Sequence, residues 1–150
     1  MTGGFTLRLE AVPPGLALDL LATLDGLHRE VQVAGLDSTG EIPVARETHD
    51  VIVRDRDRLE GPRNSFHDQA AAARAAGLDR VDLTADYGPD DVARARATTV
   101  AMGEADAAAR RGELLASPMT PAVRHLWLWV GAQLEAQAAG AAPTPYDPGA

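Results

Sequence analysis

The sequence predicts an α+β fold, a small, mainly antiparallel sheet covered on one face by four helices. Three observations carry this. Two short stretches, Phe5 to Ala11 and Val81 to Tyr87, alternate apolar and polar side chains, the pattern of half-buried strands. Ala- and Leu-rich stretches between and after them repeat their apolar residues at helical spacing. The resulting order of strand, helix, weaker strand, helix, strand, helix, helix lacks the regular alternation that a parallel sheet requires.

In the first strand Phe5, Leu7, Leu9 and Ala11 share one face, and Thr6, Arg8 and Glu10 the other. Pro13 and Pro14 end it and suit the first turn of a helix, because a missing N–H costs nothing there. Ala17, Leu20, Leu21, Leu24, Leu27 and Val31 then form an apolar stripe, with Gly26 a weak point inside it. Gly35, or the Asp37-Ser38-Thr39-Gly40 cluster, is expected to stop this helix. From Glu41 to Gly61 the pattern is least regular. Val51-Ile52-Val53 has strand propensity and runs into the alternating charges Arg54 to Arg58, which reads as an edge strand entering a solvated loop.

After Gly61-Pro62, Ser65 and Asp68 stand at capping-box spacing before the run Ala70 to Ala76, and Gly77 is placed to close that helix. Val81, Leu83, Ala85 and Tyr87 define the inner face of the second clear strand. Pro89-Asp90-Asp91 opens a long Ala-rich helix extending to about Leu115, with acidic residues at the positive end of its dipole. Ser117-Pro118-Met119 breaks the chain. Thr120 then caps a last helix with Pro121 in its first turn and Gly140 at its end. Residues 1–140 therefore read as one domain and 141–150 as a Pro/Gly-rich tail, draped on the surface or disordered.

At 150 residues the chain is long enough to bury a core without staples. The net charge of −8 sets a repulsive field against nucleic acid and anionic membranes, so neither is an expected partner. The absence of cysteine excludes thiol chemistry, and no basic n-region followed by an apolar h-region is visible, so the chain is expected to be cytoplasmic. All 14 basic residues are Arg, and with no lysine and no Gly-x-x-x-x-Gly-Lys pattern a phosphate-cradling loop is excluded; Gly3-Gly4 and Asp37 to Gly40 do not replace it. No Gly-x-Ser-x-Gly elbow occurs, and no cofactor is expected.

The last helix carries the main candidate site. Val123, Trp127, Val130, Leu134 and Ala138 fall within about 80° of arc, whereas Trp129 lies roughly 140° from the centre of that stripe and Leu128 on its other flank. One reading is an interface in which Trp129, Leu128, Trp127 and Leu126 anchor a protein partner or a second copy. The other is a central helix buried on all sides.

His49-Asp50 and His67-Asp68 combine ligand types that suit a divalent metal, and define the alternative of a small metal-dependent hydrolase. Asp68 as a capping residue and His49 on an edge strand account for both pairs without a metal. Arg54 to Arg58 reads either as a dock for an acidic partner or as a self-compensated solvated run. His28 and His125 are expected at exposed helix edges. A third alternative is a small-molecule sensor with its pocket between sheet and helices.

The C-terminal third, Leu114 to Arg124 with Trp127 to Val130, Gln133-Leu134, Gln137 and Gly140 to Tyr146, resembles a segment of actinobacterial signalling proteins. There it recurs in input regions associated with histidine-kinase-like or anti-sigma-type ATP-binding domains. The resemblance covers about 35 residues and implies a sensory or regulatory module in bacterial signalling, not a catalyst. The Asn-rich and glycine-rich boxes of those ATP-binding domains are absent.

Overall fold

The computed structural model describes residues 4–36 and 44–149. Its elements are β1 (Phe5–Val12), α1 (Pro14–Leu36), α2 (Arg46–Arg56), α3 (Glu60–Ala75), β2 (Val81–Tyr87), α4 (Asp91–Arg110) and α5 (Pro121–Ala138). The fold is α+β, with two antiparallel strands and, among the described residues, five helices.

The two strands pair from Phe5↔Tyr87 to Leu9↔Leu83, and the register then slips before Val12↔Val81. At the slip Ala11 takes a left-handed φ of 57°, so Val12 and not Ala11 turns inward; Val12 is 1% exposed. Simple alternation had placed Ala11 on the inner face. A β-bulge inserts one residue and reverses that parity. Asp82 holds the bulge through the Ala11 N–H at 2.9 Å, and Arg80 donates to the Ala11 carbonyl at 3.1 Å.

Leu7, Leu9, Leu83 and Ala85 form the covered face of the sheet, while Arg8 and Asp82 pair in solvent at 2.8 Å on the other. Helix α1 is the hub, packing on α2, α3, α4 and α5. Leu27 and Val31, with no exposed surface, lie at its centre. Burying a side chain of this size contributes about 1.5–3 kcal/mol.

Both outer edges of the two-stranded sheet are occupied at mid-strand. Arg8 and Thr84 face each other across the ladder with their peptide groups turned outward. The Gln137 side chain of α5 accepts from the Arg8 N–H at 3.0 Å and donates to the Arg8 carbonyl at 2.7 Å. Gln69 of α3 does the same for Thr84, at 2.9 and 2.6 Å.

Three helices differ from the sequence reading. Helix α4 ends at Arg110, short of the expected Leu115, with Gly112 at a positive φ just beyond it. Residues 46–56 are helix α2, not an edge strand, which raises the helix count from four to five. The buried positions of α2, Thr48, Ile52 and Asp55, follow helical spacing but only one is apolar, and the β-branched run Val51-Ile52-Val53 outweighed that spacing. Helix α3 begins at Glu60, which places Gly61 and Pro62 in its first turn, where proline is tolerated. Ser65 is therefore interior to the helix and donates to the Thr84 carbonyl at 2.9 Å, and Asp68 has no capping role.

Other signals held. Thr120 accepts from the Val123 N–H at 3.2 Å with Pro121 following it, and Gly77 and Gly140 end their helices with positive φ. The tail is draped: Tyr146 is 5% exposed and donates its N–H to the Glu10 carbonyl at 2.9 Å. The Asp37–Gly40 stop and the Gly3 position lie outside the described residues.

Candidate functional site

A chamber of about 200 Å³ lies between the covered face of the sheet and the helices. Its apolar wall combines Leu9 and Leu83 from the strands, Leu20 and Leu24 from α1, Phe66 from α3 and Met102 from α4. Trp127 of α5 also borders it. The indole reaches this wall because Gly103 on α4 has no side chain; a Cβ there would stand 3.3 Å from the ring.

Polar groups gather at one region of the lining. His28 of α1 is 4% exposed, correcting the expectation that it sits at an exposed helix edge. It follows Leu27 on the buried face and is reached from α2 by Arg56, whose Nη1 lies 2.6 Å from Nδ1. A guanidinium has only donors, so Nδ1 accepts and the proton of the neutral imidazole sits on Nε2. Nε2 is fully buried, with no surface open to the chamber that the residue lines, and makes no close hydrogen bond among the described residues; the Ile52 backbone is the acceptor that approaches the ring.

Burial first, then the positive charges of Arg56 and Arg63, lower the His28 pKa to about 4. The Ile52 backbone and the Asp25 carboxylate oppose this less strongly. The imidazole is therefore neutral near pH 7. Thr98 on α4 adds a second buried lining atom without a partner, its Oγ1.

Arg56, Arg63 and Asp25 are partly exposed and line the chamber beside His28, so they mark its mouth. Arg63 pairs with Asp25, and Arg56 lies 3.9 Å from the same carboxylate. Asp55, 1% exposed, receives two hydrogen bonds from Arg54 at 2.9 and 3.1 Å. The Arg54-to-Arg58 run is thus not a simple solvated segment: Asp55 and Arg56 turn inward. At the sheet end of the lining, burial and Asp91 push the Tyr87 phenol up to about 12, so it stays protonated.

The C-terminal candidates separate. Leu126 is in the core at 1% exposure, Trp127 faces the chamber, and only Leu128, at 58%, is exposed to solvent. Trp129 does point away from the chamber, and its outer face is met by the chain's own tail: the Trp129 and Tyr146 rings stack edge to face with centroids 5.0 Å apart. The Tyr146 hydroxyl lies 2.9 Å from Nδ1 of His125, so His125 is engaged by the tail and not simply exposed. Burial raises the Tyr146 phenol above its ordinary value.

The two His-Asp pairs do not converge. Each imidazole pairs with its own neighbour, His49 with Asp50 at 3.0 Å and His67 with Asp68 at 3.2 Å. The His49 ring lies against Gly35 of α1, where a Cβ would meet it at 2.0 Å. Among the described residues no group of three His, Cys, Asp or Glu side chains is arranged to hold a metal, so the hydrolase alternative loses its site.

Sequence reasoning offered a pocket between sheet and helices as an alternative but missed His28 as part of it. The available signal was a histidine adjoining the buried stripe of a long apolar helix. Its partner Arg56 is 28 residues away, in the segment read as strand and loop. No protein-family model, curated protein or solved structure matches the chain. No helix among the described residues is long and apolar enough to cross a membrane.

Proposed function

We propose that this chain is a non-catalytic sensor domain that holds a small apolar molecule between its helices and acts as a regulatory module in the bacterial cytoplasm. The observation that carries the reading is an apolar chamber of about 200 Å³ with the charged groups Arg56, Arg63 and Asp25 gathered at its mouth. Apolar walls with a few fixed polar groups are the usual composition of small-molecule sites.

Helix α5 supports the regulatory part. Trp127 borders the chamber, and Trp129, two residues on, seats Tyr146. A ligand that displaces α5 alters the seat of the tail, and with it the surface that α5 offers to a protein partner or second copy at the exposed Leu128. The resemblance of the C-terminal third to signalling input regions agrees with this.

The test uses Trp129→Phe, which leaves Trp127 as the sole indole. Toluene titrated into this variant is expected to change Trp127 fluorescence saturably and to raise the thermal midpoint of the wild-type chain by mass action. No change in either across a panel of one-ring and short-chain compounds overturns the reading.

A further inference from the structure

The polar groups of the chamber are unequally matched. Asp55 is answered by Arg54 at 2.9 Å and Asp25 by Arg63, while Arg56 has only a neutral imidazole nitrogen at 2.6 Å and a carboxylate at 3.9 Å. Among the described residues one guanidinium lining the chamber is thus left without a close counter-charge of its own. What it lacks is a negatively charged oxygen, which a neutral or cationic ligand does not supply.

We infer that the chamber takes a small apolar carboxylic acid as its anion, with its ring or short chain among the leucines. The carboxylate accepts from the Arg56 guanidinium at the mouth of the chamber. This rests on the reading of the chain as a small-molecule sensor.

Size fixes the class further. An aliphatic cavity of about 150 Å³ holds benzene, so about 200 Å³ matches one ring, or a chain of about six carbons, together with a carboxylate.

The experiment is a calorimetric titration of the full chain at pH 7.5 and low salt with benzoate and hexanoate, their amides, and toluene. The carboxylates are expected to bind about tenfold or more tightly than the amides and toluene, as charge-assisted hydrogen bonds exceed neutral ones. Arg56→Gln keeps a donor for Nδ1 and removes the charge; it should bring the carboxylates down to the amides while leaving toluene unchanged. His28→Phe, which removes the nitrogen that holds Arg56 in place, is expected to weaken the carboxylates most.

Toluene binding as tightly as benzoate overturns the anion while leaving the sensor reading intact. A carboxylate preference that survives both substitutions also overturns it, because the anion then lies elsewhere. If none of the five compounds binds, the sensor reading itself falls.

Discussion

Asp106 and His28 are both buried polar side chains that reach an arginine, and they differ in what is left over. Asp106 on α4, 2% exposed, accepts the Met119 N–H at 2.7 Å on one oxygen. Its other oxygen takes Arg124 at 3.1 and 3.2 Å and lies 3.5 Å from Arg110. Arg124 also donates to the Met119 carbonyl at 2.8 Å, so the cluster fixes the turn from α4 into α5 with both oxygens occupied. His28 has one nitrogen held by Arg56 and the other buried without a close hydrogen bond. A satisfied buried network fixes geometry; an unsatisfied one costs stability and leaves its arginine short of a counter-charge.

Breaking this contrast gives a graded set of outcomes. Asp106→Ala strands Arg124 and the Met119 N–H, and should cost about 3–5 kcal/mol in urea unfolding. A loss under 1 kcal/mol would mean the cluster is not what holds the turn.

Next in size is a pH effect. Below pH 6.5 the unfolded chain protonates its histidine, whereas folded His28 resists until about pH 4. Its contribution is therefore intact above 6.5 and lost as the pH falls toward 4, amounting to roughly 3 kcal/mol. Comparing wild type with His28→Leu isolates this from the carboxylates; parallel stability profiles between pH 7 and 4 would remove the neutral imidazole from the account.

At pH 7.5 His28→Leu should stay within about 1 kcal/mol of wild type, because it removes an unpaired donor as well as a hydrogen bond. A cost equal to that of Asp106→Ala would erase the distinction between the clusters. Smallest is Thr98→Val, which replaces an unpaired hydroxyl by a methyl of similar shape and should gain about 0.5 kcal/mol. A loss of that size would show that the hydroxyl has a partner after all.

The same contrast divides what the sequence made legible. β2, α4 and α5 were readable because alternation or a long run of small and apolar side chains marks each, and local chemistry marks the starts of α4 and α5, Asp91 and Thr120-Pro121, and the end of α5, Gly140. α2 was hidden because Thr48 and Asp55 share its buried face, the first bonded to Glu104 and the second to Arg54. Trp129 was correctly turned away from the chamber, but Tyr146, 17 residues on, covers part of its outer face. Its cover came from a segment whose composition suggested no packing. The chamber's place between sheet and helices stood among the alternatives, but its lining was not legible, since it is space left between all seven elements, and periodicity reports where side chains point and not how completely they fill what lies between.

The two glutamines on the sheet bear on how the molecule behaves in a crowded solution. Two strands alone expose two long borders, each a template on which a foreign chain can zip and seed fibrils. Gln137 and Gln69 engage the outward peptide groups at the middle of each border, and the tail takes the Glu10 carbonyl. An incoming strand would meet an interrupted row of donors and acceptors, and would have to evict an amide anchored on a packed helix before it could advance. Association by strand addition is thereby disfavoured, and encounters between molecules are directed to the helical side.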